Sequence, residues 1–152
     1  MVKYAKKLAK ELNADLEIVE IAGWLHDVGS IVEGRDNHHI SSAKIAEKLL
    51  TDLKYPKEKI KRVKNCILNH RGSVNNKRIS LEEKVISDAD AMSAFDNLSG
   101  IFKAALVYEK MEQGEAKESV RNKLTNKYKQ LNFNKSKELI RPKYEAALLL
   151  LK

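Results

Sequence analysis

Four histidines, His26, His38, His39 and His70, fall between residues 26 and 70, and none occurs in the rest of the chain. His26 is followed at once by Asp27. Imidazole nitrogen and carboxylate oxygen are the usual ligands of Mn, Fe, Co, Ni and Zn ions. Adjacent helical residues point about 100° apart. A His-Asp pair therefore reaches one ion if a helix ends beside it, or serves two ions with Asp27 bridging. The run Ile21-Ala22-Gly23-Trp24-Leu25 puts the pair at the edge of a buried region. A buried carboxylate without a partner is costly, so Asp27 needs a cation or hydrogen-bond donors there. The plainer alternative is that His26 and Asp27 bond to each other.

His70 closes the stripe Ile60, Val63, Ile67. An imidazole facing a core must find a donor, an acceptor or a metal; a lone one is more often a satisfied core histidine. His38 and His39 open another helical pattern. Ser42, Ile45 and Leu49 continue from His38 at helical spacing, which turns His38 inward and leaves its neighbour to solvent or the helix start; the plainer alternative for the pair is helix-start polarity. On the helix that holds Val85, Ile86, Ala89 and Asp90, Asp90 falls near Ile86 and Asp88 nearly opposite. The wheel makes Asp90 the buried carboxylate and the better ligand. It leaves Asp88 as a supporting or capping group, or as a solvated one.

The elements that must hold these residues read as helices. Val2 to Leu12 repeats Ala5, Leu8, Ala9 and Leu12 on one face. Asp15 caps a second helix that turns Leu16, Val19, Ala22 and Leu25 inward and runs into His26-Asp27. Gly29 is expected to end it in a left-handed cap, with residues 29–38 a polar loop. A third helix runs from His38 to Leu53 with Ile45, Ala46, Leu49 and Leu53 inward, and Pro56 suits the start of a fourth. Arg71 to Arg78 reads as a basic loop with Gly72, Asn75 and Asn76. Ser80 and Glu83 form a capping box for the next helix. Further helices are expected over Leu98 to Met111, stopping at Gly114, then Ser119 to Leu131 and Ser136 to Leu151. With 2 prolines, 6 glycines and no strand-like alternation, the chain reads as all-α.

The 152 residues suit one domain. No apolar run is long enough to span a bilayer, and no secretory signal opens the chain. The single cysteine, Cys66, leaves no internal disulfide and suits a cytoplasmic setting. A net charge of +8 favours anionic partners such as nucleotides and leaves nucleic acid open, but the lysines are spread along the chain as on a solvated surface.

Taken in order, Leu25-His26-Asp27-Val28-Gly29, His38 to Ala43, Ile67-Leu68-Asn69-His70-Arg71 and Ser87-Asp88-Ala89-Asp90 resemble the HD-domain superfamily of metal-dependent phosphohydrolases. The resemblance covers about residues 1 to 97. It implies a compact multi-helix HD fold over residues 1–152, with the helices after residue 97 packing on the motif-bearing part. It implies His26, Asp27 and Asp90 as ligands of one metal. In two-metal branches the residues matching His38 and His70 bind a second metal or the substrate phosphate. The family's first ligand histidine falls ahead of the position matched by Met1, so either that ligand has been lost or the sequence lacks its natural start, and the intact remainder of the pattern favours the second.

The implied activity is hydrolysis of a small phosphate ester, a nucleotide, by a divalent ion (Mn, Fe, Co, Ni, Zn or Mg; one or two). Asp27, His38, His70 and Arg71 make up the catalytic set; Arg71, beside His70, is the candidate phosphate clamp, the alternative being an ordinary helix-end arginine favoured by the dipole. Arg35, Lys77 and Arg78 add positive potential. Two other readings share the residues: a non-catalytic binder of nucleotide or nucleic acid, and a di-iron oxygenase. Neither the metal nor the oligomeric state is legible.

Overall fold

The structure is a computed structural model that describes residues 1–71 and 77–152; Gly72, Asn75 and Asn76 of the expected basic loop lie outside the described residues. Among the described residues there is no strand, and the fold is all-α. Helix α1 spans Val2–Leu12, α2 Leu16–Leu25, α3 Val28–Val32, α4 His38–Asp52, α5 Lys57–Asn69 and α6 Leu81–Ser93. They are followed by α7 (Leu98–Lys103), α8 (Gln113–Lys129) and α9 (Asn134–Leu150).

The chain divides into two compact units, Met1–Ala89 and Asp90–Lys152. In the first, α1 packs on α2, α2 on α5, α3 on α4, and α4 on α5. Its core is built from Leu8, Ile18, Val19, Val63, Ile67, Val85 and Ile86. The expected α5 stripe is buried throughout, with Cys66 added to it. Asp15 caps α2 as its sequence suggests, its Oδ1 accepting the Ile18 N–H at 3.3 Å. In the second unit α8 packs on α9 around Val120, Leu124 and Ile140. Tyr144 stacks on Tyr128 at 4.2 Å and meets the edge of Phe95.

Several elements depart from the sequence reading, each for a physical reason. Gly29 is not a left-handed cap, and residues 28–32 are helix α3 rather than loop. A Cβ on Gly29 would stand 2.1 Å from Ser41 Oγ, 2.5 Å from Ser42 N and 2.8 Å from His38 O. The glycine is there for the close approach of α3 to α4, and its N–H donates to Ser42 Oγ at 2.9 Å. That approach rotates α4: Ser42, Ala43, Ala46 and Leu50 are buried, while Leu49 and Leu53 are exposed. In α2, Ile18 is buried where Leu16 was expected.

Helix α7 is short and passes into a π-helical turn at Ala104–Tyr108. Gly114 lies inside α8 rather than before it, because Glu112 and Glu115 form a capping box there. In α6 the wheel argument fails. Residues from Val85 to Ala89 are all buried, so no single face is inward, and the buried carboxylate is Asp88, at 1 % exposure, rather than Asp90.

Candidate metal centre

Four helix ends of the first unit carry the candidate ligands. His26 is the residue after α2, and Asp27 stands immediately before α3. His38 is the first residue of α4, and His70 follows the last residue of α5. Helix ends leave backbone carbonyls unpaired, and the histidine rings use such groups. His26 Nδ1 lies 2.9 Å from Gly23 O, His38 Nδ1 2.9 Å from Arg35 O, and His70 Nδ1 2.6 Å from Ile67 O.

A carbonyl oxygen only accepts, so each Nδ1 carries the proton and donates. In the neutral ring the lone pair is then on Nε2. All three Nε2 atoms face Asp27. His26 Nε2 is 3.3 Å from Oδ2; His38 Nε2 is 3.1 Å and His70 Nε2 3.7 Å from Oδ1. The rings pack edge to face or tilted, with centroids 5.2 Å apart for His26 and His70 and 5.5 Å for His38 and His70.

Lone pairs of neutral imidazoles facing a carboxylate repel, and a cation between them removes the repulsion. Asp27 Oδ1 is itself buried and makes no hydrogen bond. One ligand atom from each of Asp27, His38 and His70 lies within 4.8 Å of the others. Ligands about 2.0–2.2 Å from a shared ion lie within about 4.4 Å of one another. The donor set of imidazoles and a carboxylate suits a divalent ion, and the backbone carbonyls behind the rings fix the tautomer that a metal requires.

Asp27 is half-buried, and burial raises its pKa. A hydrogen bond from His26 and the positive charges of His26, His70 and His38 when protonated outweigh that and bring the carboxyl down to about 2. His39 was expected to face solvent, yet it is buried at 6 % exposure, with Nδ1 making no hydrogen bond. Burial, the nearby Arg71 guanidinium and His38 all lower its pKa. Sequence reasoning gave His39 no role because it took one of two adjacent histidines to be exposed.

The model of the HD domain family matches residues 1–94. The chain belongs to the HD-domain family. The matched span contains His26, Asp27, His38, His70 and Asp90. The crystal structure of Bacillus subtilis YpgQ in complex with ADP superposes on this HD domain with a TM-score of 0.77 at 23 % identity. The match covers 99 % of this chain and 81 % of that one, and it shows a shared fold. No curated protein matches the chain at a significant level.

The remaining expected residues of this HD domain stand as follows. Asp90 begins the second unit, with Lys127 Nζ 3.5 Å from its Oδ2. Arg71 follows His70 and is half-buried. Arg78 does something the sequence did not suggest: its Nε donates to Asn69 O at 2.9 Å and its Nη2 to Arg71 O at 3.0 Å. It pins the end of α5 on both sides of His70. Arg35 and Lys77 are exposed.

Proposed function

We propose that this HD domain is a metal-dependent phosphohydrolase acting on a nucleotide. The observation that supports it most is the set of three Nδ1-anchored histidines turned on a carboxylate whose buried Oδ1 has no hydrogen bond. Asp27, His26, His38 and His70 would hold the ion. The family resemblance adds Asp90 as a further ligand. A bound divalent ion would supply an activated water near neutral pH and neutralise phosphoryl charge.

The chain's own residues do the rest. Asp27, held ionised, orients a water. His38 or His70, where not engaged by metal, binds phosphate as imidazolium. Arg71 clamps a phosphate through its planar fork of donors. Arg78 and the backbone carbonyls at 23, 35 and 67 hold the imidazoles in place. A related fold crystallised with ADP supports a nucleotide as the substrate class.

The test is elemental analysis of the purified protein with a phosphatase and phosphodiesterase screen across Mn, Co, Ni, Mg, Zn and Fe. Asp27→Asn, which keeps shape and removes charge, should lose both metal and hydrolysis. Hydrolysis that survives this change, or survives chelation, rejects the proposal.

A further inference from the structure

A concavity lies in the first unit at the end of the α4–α5 pair where Lys54 and Tyr55 join the two helices. It has a volume of about 630 Å³. Thr51 on its wall is 13 residues along α4 from His38, about 20 Å at 1.5 Å per residue. The groove is therefore separate from the metal centre. Four lysines, Lys54, Lys57, Lys61 and Lys64, line it together with Glu47. Only Lys64 has a carboxylate partner among the described residues, Glu47 at 2.5 Å.

Like charges on a convex surface relax apart into water. Gathered round a concavity they raise its potential and draw in a counter-charge. The groove is not purely polar, since Ile60, at 7 % exposure, and the Tyr55 ring also line it. That ring is fixed in place. Its hydroxyl donates to Glu17, and the Lys59 ammonium sits 5.8 Å from the ring centroid. An apolar wall carrying one rigid aromatic ring, inside a cationic rim, matches a ligand with a flat apolar part and two or three phosphate charges. The volume is within the usual range for small-ligand sites, about 300–1,000 Å³.

We infer that the groove between α4 and α5 is a binding site for a nucleoside di- or triphosphate, distinct from the metal centre and bound without metal. Lys54, Lys57 and Lys61 meet the phosphates, and Tyr55 with Ile60 meets the base. Because no candidate metal ligand lines it, a nucleotide held there acts as an effector rather than as a substrate. The inference does not depend on the phosphohydrolase reading.

The experiment is calorimetric titration of the metal-free protein with ATP in chelator, beside adenosine and tripolyphosphate as separated halves of the ligand. ATP should bind saturably and each half at least about tenfold more weakly, since each loses one set of contacts. The double variant Lys57→Glu/Lys61→Glu changes exposed side chains only. It should weaken ATP by about tenfold or more while leaving Mn²⁺ uptake unchanged. In the unmodified protein, ATP should slow acetylation of Lys57 and Lys61, read by mass spectrometry. Absence of saturable ATP binding, binding indifferent to the double variant, unprotected lysines, or tripolyphosphate binding as tightly as ATP would each overturn the inference.

Discussion

Asp27 carries one side of an electrostatic balance that changes sign with protonation of its neighbours. Protons on Nε2 would give the carboxylate three positive partners, whereas neutral rings turn lone pairs toward the same oxygens, and only a cation relieves them. Protons therefore compete with metal for this site. Metal uptake, followed by titration calorimetry, should weaken as the solution is made more acidic; an affinity indifferent to pH would separate the histidines from the ion. The carboxyl itself is held ionised down to about 2, below its ordinary 3.8. A folded pKa below the unfolded one stabilises the fold above about pH 3.8, and the contribution disappears as pH falls toward 2. Carbon-detected NMR on the metal-free protein should place the Asp27 titration near 2, and a midpoint at 3.8 or above contradicts the cluster. A buried group of another kind is Cys66, whose thiol is pushed well up by burial and by the nearby Glu83 and Glu82 carboxylates. It should resist alkylation in the native protein and react only when the chain is unfolded; rapid native labelling would show that α5 is not packed as described.

Helices α3 and α4 bring Asp27 and His38 together only because Gly29 lets their backbones touch. Gly29→Ala puts a methyl group against Ser41 Oγ and the Ser42 and His38 backbone, so α4 must shift at the end that carries His38. Overpacking of this kind costs about 1–3 kcal/mol. The variant should lose that much in denaturant unfolding and bind metal more weakly, and wild-type values for both would sink the packing account. Gly29 also shows where sequence reading stops. A glycine after a helix reads the same whether it supplies a positive φ or a missing Cβ, and only the neighbour from another helix decides. Periodicity served well where one face is buried, as in α1 and α5, which appear at their expected positions. It failed in α6, buried from Val85 to Ala89, where it chose Asp90 over Asp88 as the buried carboxylate. It failed again at His38-His39, because the start of a helix can turn two adjacent side chains inward. The ion-pair network at the start of α2 was not legible either. Arg62 of α5 meets Asp15 at 2.8 Å and Glu82 of α6 at 3.2 Å, and Glu82 also accepts the Asp15 N–H at 3.1 Å. Nothing in local spacing relates residues so far apart in the chain.

Across the whole chain the family and the all-α fold were legible because four short motifs keep their order, although each alone is weak. Convergence of three imidazoles on one carboxylate was not legible, because it depends on which carbonyl lies behind each ring. It has a consequence for stability. The ligands stand at the ends of α2 and α5 and the starts of α3 and α4, so an ion that binds them binds the folded chain and not the unfolded one. Binding linked to folding in this way adds about 2.7 kcal/mol when free metal is a hundred times its dissociation constant. For a chain of this length each kcal/mol raises Tm by about 2–4 °C. Saturating the protein with its metal should therefore raise Tm by about 5–10 °C, and chelator should reverse the rise. Asp27→Asn should abolish the shift, because it removes the carboxylate charge that faces the ion. A metal-dependent rise that survives in Asp27→Asn would place the ion elsewhere. No rise in the wild-type protein with any divalent ion would mean that the cluster relieves its repulsion by protonation alone.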